Sequence, residues 1–328
     1  MKTLIKNVII DNEQKNILID DGKIVAIANE DFSADNIFNA EGIYAIPGGC
    51  NCFFDGCVED CINLVKQGIT TVFDFSFDEE VTRKLISLGL NVYVAIGDNN
   101  GNNILDQESL IFETNRVTSL GAIEPIIYLA NPNVCDESQY DEVIKFASTH
   151  NYLMATHTSE YLEDVGEIDN LYGKSPVELL ESYGFLDHKH MLIDCVFADK
   201  DDVNLLSNYE TNICIRPTTN LKNGSGIAPL YSFLKNKLNV VLGGNVRNIY
   251  NELSLARDLQ SGYLNEKNII SIEQISSLIT KNVKDIFTNI GNLKVGDYAD
   301  IVLTDNTNLE KITPLNIWHS FAKGFKIL

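Results

Sequence analysis

The sequence lacks any apolar run that approaches the roughly 20 residues needed to cross a bilayer. Its first ten residues alternate apolar and polar side chains, without the apolar core or cleavage site of a signal peptide, which favours a cytoplasmic location. Low-complexity tracts are also absent, and 45% hydrophobic with 22% charged residues is typical of a globular protein. With 328 residues, the chain is long enough to bury a full core in one large domain or two ordinary ones.

Positive charge is scarce. The 25 lysines and arginines are outnumbered by 46 aspartates and glutamates, which gives a net charge of −21. Nucleic acid and anionic membranes would be repelled by such a protein, so the expected partner is a small-molecule substrate or ligand, with a homo-oligomer left open. Seven cysteines, an odd number without a signal peptide, indicate reduced thiols rather than a disulfide framework.

The middle of the chain alternates short apolar runs with amphipathic stretches of helical period. The apolar runs predict eight strands, at 43–53, 69–75, 91–97, 123–130, 152–157, 191–196, 212–217 and 239–244. Eight strands alternating with helices indicate a (β/α)₈ barrel, and the rival fold is a doubly wound open sheet. Polar residues at several strand ends favour the barrel, with one or two closing helices expected over 271–289.

Both ends of the chain carry alternating patterns typical of strands. Residues 3–10 and 16–28, with a turn at Asp21-Gly22, predict a hairpin, and 291–305 has a matching pattern. We therefore predict an α/β protein with two parts. A small composite β-sandwich is expected from residues 1–42 and 290–328, and a (β/α)₈ TIM barrel with closing helices from 43–289.

Candidate functional residues lie where predicted strands end, because active sites of such barrels occupy the C-terminal ends of the strands. His157 ends the fifth strand and Glu160 follows three residues later, which offers a metal ligand and a nearby general acid or base. The alternative is a pair of side chains on a solvated loop.

Two arginines are candidates for ligand binding at the same edge. Arg216 leaves the seventh strand and Arg247 follows the eighth, so together they could hold a carboxylate or phosphate. Alternatively, they pair with Asp55 or Asp194 and supply positive charge by salt bridges.

Four cysteines lie close together in the sequence: Cys50, Cys52, Cys57 and Cys61. Their spacing permits a zinc or iron–sulfur site. Strand alternation with Phe53 facing the barrel interior predicts instead that Cys50 and Cys52 point outward beneath the helices, as small apolar residues.

Motifs in a consistent order along nearly the whole chain carry a family resemblance. They are Ile46–Gly56, His157–Glu160, Gly173–Leu180, Ile193–Phe197, Cys214–Pro229, Val240–Asn245, 19–27 and 296–302. The chain resembles the amidohydrolase superfamily, in the branch of cytosine, guanine and S-adenosylhomocysteine deaminases. The resemblance implies a (β/α)₈ barrel and metal-dependent hydrolysis of a non-peptide C–N bond in a heterocycle or amidine.

The resemblance also implies a metal site with five key positions, which here hold Phe53, Asp55, His157, Asp194 and Asn245. Of these, only His157 keeps the family's residue, whereas Glu160 keeps the position of the proton carrier. A remodelled hydrolase would use His157, Asp55 and Asn245 as metal ligands, with Glu160 and Asp194 as catalytic residues. The implied cofactor is one divalent ion of zinc, iron or manganese, or none.

A shortened connection follows the first barrel strand. The resembled enzymes have tens of residues there, which close over the substrate, whereas 54–56 lead directly into the helix predicted over 57–67. Two functions therefore stay open. The protein is either a hydrolase or deaminase with a remodelled metal site, or a catalytically inactive homologue that serves as a ligand-binding or partner-binding scaffold.

Overall fold

The computed structural model describes residues 1–98, 106–245, 248–287, 290–305, 317–321 and 324–326. The strands are β1 (Thr3–Ile10), β2 (Glu13–Asp20), β3 (Lys23–Ala28), β4 (Asn36–Asn39), β5 (Tyr44–Pro47), β6 (Gly49–Phe54), β7 (Ile69–Asp74), β8 (Asn91–Asp98), β9 (Pro125–Leu129), β10 (Leu153–Thr158), β11 (His190–Asp194), β12 (Asn212–Ile215), β13 (Val240–Leu242), β14 (Ile301–Thr304), β15 (Ile317–Phe321) and β16 (Gly324–Lys326).

The helices are α1 (Val58–Lys66), α2 (Glu79–Ser87), α3 (Gln107–Leu120), α4 (Glu137–His150), α5 (Leu162–Tyr172), α6 (Pro176–Ser182), α7 (Lys200–Tyr209), α8 (Pro217–Asn223), α9 (Leu230–Lys235), α10 (Ile249–Leu264), α11 (Ile272–Ser277) and α12 (Lys281–Ile286). None of these helices is long and apolar enough to span a membrane.

Strands β6 to β13 pair in parallel in chain order and form a nearly closed barrel, which confirms the predicted (β/α)₈ fold. Hydrogen bonds join the first and last strands. The Gly244 N–H donates to the Phe53 carbonyl oxygen at 2.6 Å, and the buried Asn51 side chain donates to the Gly244 carbonyl oxygen at 2.8 Å. A Cβ at Gly243 would lie 2.4 Å from the Phe53 nitrogen, so glycine is required for this close approach.

The strand predicted over 43–53 is in fact two strands that belong to different sheets. β5 pairs antiparallel with β14 in the sheet built from both chain ends, whereas β6 begins the barrel. The chain passes from one to the other at Gly48, where a Cβ would lie 2.1 Å from the Thr70 hydroxyl oxygen. The separate terminal sheet is confirmed, and strand pairing places 44–47 within it; the domain division at 42/43 and 289/290 stays a prediction.

Several helices begin at typical capping residues. Asp136 begins α4 with a capping box, and Ser175 with Pro176 begins α6. Two helices were not predicted, α5 and α8. Helix α5 begins at Tyr161 without a side-chain cap and buries only Ile168, so its sequence has a weak amphipathic pattern.

The prediction that Cys50 and Cys52 point outward is wrong. The pairing of β6 with β7 shifts register between Asn51 and Phe54, and this irregularity breaks the simple alternation. Cys50 and Cys52 therefore lie in the barrel interior, with their sulfurs 3.5 Å apart. Cys61 packs in the other core, beneath the helices, and Cys57 is exposed, so the four thiols do not converge on one metal site.

Asp300 is completely buried beside β8. Its carboxylate accepts hydrogen bonds from the Gly291 N–H and the Asn91 side chain, both at 2.8 Å. Burial raises the pKa of Asp300 from 3.8 to about 6. The folded protein therefore retains this proton at pH values where the unfolded chain has released it. The contribution of Asp300 to the free energy of unfolding is therefore fully present below the pKa of the unfolded chain. It is lost as pH rises through about 6.

We expect Asp300→Asn to remove this pH dependence. Between pH 5 and pH 7, the free energy of unfolding of the variant should gain about 1 kcal/mol relative to that of the native protein. Urea unfolding at the two pH values measures the difference, with the exposed Asp305→Asn as a control that should show none. If Asp300→Asn changes the free energy of unfolding by the same amount at both pH values, Asp300 does not have a raised pKa in the folded protein.

Candidate functional site

Three neighbouring strands bring the candidate residues to one edge of the barrel. His157 lies at the end of β10, Asp194 ends β11, and Arg216 directly follows β12. Asp194 and Cys195 both have left-handed backbone conformations, with φ values of 76° and 47°. Such conformations are costly for residues other than glycine and persist where the surrounding contacts hold them, which is common at functional sites.

Asp194 is paired with Arg216 in a bidentate ion pair. The Arg216 Nε donates to Oδ1 at 2.9 Å and a terminal nitrogen donates to Oδ2 at 2.6 Å. The Asn220 side chain donates to Oδ1 and the His157 Nδ1 to Oδ2, each at 2.8 Å. Burial by itself would raise the pKa of Asp194, but the His157 hydrogen bond and the Arg216 charge hold it well below its usual range. The carboxylate is therefore ionised.

The guanidinium of Arg216 also lies close to Glu160 and His157. It lies 3.5 Å from a Glu160 carboxylate oxygen and 3.3 Å from the His157 Nδ1. Its central carbon lies 4.5 Å from the centre of the Phe53 ring, a cation–π contact. Burial would lower the pKa of Arg216, but the Asp194 charge raises it above its ordinary value, so the arginine stays charged.

Within the part of the chain that the structure describes, His157, Glu160 and Asp194 form the group that could hold a metal ion, with ligand atoms within 4.8 Å of one another. Arg216 contacts all three. A divalent ion there would share Asp194 Oδ2 with a guanidinium nitrogen 2.6 Å away and be repelled by its charge. The His157 Nδ1 donates its proton to Asp194, so the Nε2 is the ring nitrogen left to bind an ion. These residues fit a metal only if Arg216 is displaced.

The other predicted site residues lie farther out. Asp55 is exposed and lines the same cavity as His157 and Glu160. Asn245 is also exposed, and its side-chain nitrogen lies 3.5 Å from a carboxylate oxygen of Asp60. Arg247 lies outside the described residues. Their roles as metal or anion ligands stay predictions.

An open cavity of about 420 Å³ lies above the ion pair at the barrel mouth. Its residues are Phe53, Asp55, Phe75, Ser76, Phe77, Tyr128, Ala130, Asn131, Asn133, His157, Thr158, Ser159, Glu160, Tyr161, Asp164, Arg216 and Asn223. The aromatic wall and Asn220 were not among the predicted site residues. Asn220 lies within the Cys214–Pro229 motif, which was the available signal for it.

Residues 54–328 match the profile of the amidohydrolase family, which is more than half of the chain. The chain belongs to this family. Among curated proteins, it is 28% identical to a 5-methylthioadenosine/S-adenosylhomocysteine deaminase of Thermococcus kodakarensis, over 80% of this chain and 65% of that protein. It is 26% identical to a 5′-deoxyadenosine deaminase of Methanosarcina acetivorans, over 88% of this chain and 79% of that one.

Solved structures with the same fold include zinc-containing and ligand-bound proteins. A Xanthomonas campestris adenosine deaminase with bound zinc has a TM-score of 0.86 at 15% identity, over 100% of this chain and 92% of that one. A guanine deaminase from C. acetobutylicum with bound guanine has a TM-score of 0.83 at 17% identity, over 100% of both chains. At these identities the similarity shows the fold.

The buried ion pair gives a testable stability prediction. Arg216→Met removes the guanidinium and leaves the Asp194 charge buried without a cation, which should cost about 3–5 kcal/mol in free energy of unfolding at pH 7. Asp194→Asn combined with Arg216→Met should lose less, because no charge is then left unpaired. Denaturant unfolding measures both variants.

The control is Arg83→Met, which breaks an exposed ion pair with Glu79 and should cost no more than about 1 kcal/mol. A loss for Arg216→Met as small as that of the control would show that the Asp194 pair contributes little.

Proposed function

We propose that this amidohydrolase-family protein binds a small molecule at the barrel mouth and does not carry out metal-dependent hydrolysis. The observation that supports the proposal is the position of Arg216, whose guanidinium contacts His157, Glu160 and Asp194 together. A fixed side-chain cation thus supplies the positive charge that a bound metal ion would otherwise supply.

The surroundings of Glu160 also support a non-hydrolytic role. Its carboxylate accepts a hydrogen bond from the Ser225 hydroxyl at 3.1 Å and lies 3.5 Å from Arg216. These contacts hold the carboxylate on fixed protein donors, so it would have to leave them to carry a proton between water and a ligand.

The cavity remains suited to binding. Its volume of about 420 Å³ lies within the range of small-molecule pockets. β6 ends at Phe54 and α1 begins at Val58, so no long segment closes over the mouth between these two elements. A ligand can therefore enter from this side without a conformational change there, but water is not excluded as hydrolytic catalysis would favour.

A hydrolase or deaminase is the second candidate. It is favoured by the spacing of the three possible ligands and by the activities that the names of the relatives carry. In that case a zinc, iron or manganese ion would displace Arg216. His157, Asp55 and Asn245 would be ligands, and Glu160 and Asp194 the catalytic residues. Arg216 would be free to bind an anionic group, together with the predicted Arg247, only after such a displacement.

Metal content and ammonia release separate the two candidates. The purified protein is incubated with zinc, manganese or iron(II), desalted, and its metal measured beside a His157→Ala variant. Ammonia release is then assayed with 5′-methylthioadenosine, S-adenosylhomocysteine, 5′-deoxyadenosine, guanine and cytosine. We expect substoichiometric metal, equal in the two proteins, and no ammonia above that of the buffer. Stoichiometric metal that disappears in His157→Ala, together with ammonia release, would establish the hydrolase instead.

Removing the arginine should create a metal site. In Arg216→Met, the side chains of His157, Glu160 and Asp194 are free to bind zinc, which should stabilise the variant by about 2–3 kcal/mol at a free zinc concentration 100-fold above Kd. Thermal unfolding with and without zinc measures the effect, and adding His157→Ala to the variant should remove it. Equal stabilisation of the native protein by zinc would show that Arg216 does not block the site.

A further inference from the structure

Among the residues that the structure describes, the barrel mouth contains more negative than positive charge. Four carboxylates surround the cavity or lie directly beneath it, and they belong to Asp55, Glu160, Asp164 and Asp194. Among the described residues that line the cavity, Arg216 is the lysine or arginine present. Its guanidinium is already paired with both carboxylate oxygens of Asp194. Even with His157 protonated, the carboxylates are in excess.

Two of these carboxylates face the cavity without a partner. Among the described residues, the side chains of Asp55 and Asp164 have no hydrogen bond or ion pair. Burial raises the pKa of the Asp164 carboxyl above its ordinary value, and the neighbouring Glu160 charge adds to this effect. A positive charge in the cavity would give both carboxylates the ion-pair partner that they lack.

Aromatic rings form the facing wall. Phe75 stacks on Phe53 with the ring centres 4.3 Å apart, and Tyr128 packs edge-on against Phe75 at 5.5 Å. Phe77 lies 5.6 Å from Tyr128 and is 39% exposed. Its backbone has a φ of 54°, a left-handed conformation that is strained for a bulky side chain. The chain thus holds an exposed ring at the mouth at a local conformational cost.

Buried hydroxyl groups provide an independent sign that a ligand binds here. Thr158 and Ser159 both line the cavity and are each only 2% exposed. Their hydroxyl oxygens have no hydrogen-bond partner among the described residues. Buried polar groups without partners are uncommon in folded proteins, and rotation of either side chain toward the cavity would bring its hydroxyl within reach of a ligand N–H group.

We propose that the barrel mouth binds a small planar organic cation of the amidinium or protonated aromatic amine class. This proposal rests on the proposed non-hydrolytic binding function. The ring of the ligand lies against Tyr128 and Phe77, where cation–π attraction adds to apolar contact. Its N–H groups donate to Asp164 and the two buried hydroxyls, and the Asp55 charge adds a longer-range attraction. A carboxylate or phosphate ligand is disfavoured, because it would approach unpaired negative charge while the Arg216 cation is already neutralised.

Three small molecules of nearly the same shape test the role of charge. Benzamidine is cationic at pH 7, benzamide is neutral and benzoate is anionic. Calorimetric titration of the full chain should show benzamidine binding at least about tenfold more tightly than benzamide, as expected for one favourable charge pair. Benzoate should bind more weakly than benzamide.

Substitutions locate the site. Asp164→Asn should weaken benzamidine binding by about tenfold and leave benzamide binding unchanged, because only the charge pair is lost. Asp55→Asn, at an exposed position where folding is not at risk, should weaken benzamidine binding in the same direction and by less. Asp285→Asn is the matched control, since Asp285 is exposed on α12 and does not line the cavity. It should leave all three affinities unchanged.

Equal affinities for the three compounds, a preference for benzoate, or no binding of any of them would overturn the cation proposal. An equal loss of benzamidine binding in Asp285→Asn and Asp164→Asn would overturn it as well, because binding would then depend on net charge alone. The metal and ammonia measurements test the proposed non-hydrolytic function independently of the cation proposal. A metal-free, inactive protein that prefers benzoate would keep the proposed function and reject only the cation.

Discussion

The bidentate pair between Asp194 and Arg216 determines the character of the barrel mouth. Asp194 is completely buried, and a buried carboxylate must be paired and hydrogen-bonded to stay ionised. Arg216 provides two hydrogen bonds, and Asn220 and His157 provide one each. Because the cation is covalently part of the chain, the charge balance of the site does not depend on the supply of metal ions.

Phe53 and Arg216 form one arrangement at the barrel mouth. The Phe53 side chain has no atom that can bind a metal ion, but the face of its ring lies under the Arg216 guanidinium. Its ring also packs against the rings of Phe75 and His157. An aromatic face stabilises a cation without adding negative charge. The same ring also begins the aromatic wall of the cavity, so Phe53 contacts both the buried ion pair and the proposed binding surface.

The fold was largely predictable because it depends on periodicity and on local signals. Eight apolar runs separated by helical patterns indicated the barrel, and caps such as Ser175-Pro176 marked where helices begin. The division between β5 and β6 was missed because residues 43–53 were treated as one strand. Pro47-Gly48 lies inside this stretch and marks the point where the chain passes from one sheet to the other. The inward direction of Cys50 and Cys52 was missed because a register shift, which no sequence period records, reverses the alternation.

The site was predictable in position and less so in its contacts. Parallel strands end at one edge, so the convergence of His157, Glu160, Asp194 and Arg216 followed from the strand assignments. The choice between an ion pair and a metal site stayed open, because it depends on side-chain directions set by local backbone conformation, such as the left-handed Asp194. The contribution of Asn220 was missed because it lies on α8, a short helix with proline in its first turn that follows β12 at once.

A crystal structure of the protein grown with zinc, with anomalous diffraction recorded at the zinc absorption edge, tests the central claim most directly. The account predicts a guanidinium that remains within hydrogen-bond distance of both Asp194 oxygens, and no anomalous peak within bonding distance of His157 or Asp194. An anomalous peak bound to these two residues, with Arg216 turned away from Asp194, would contradict it.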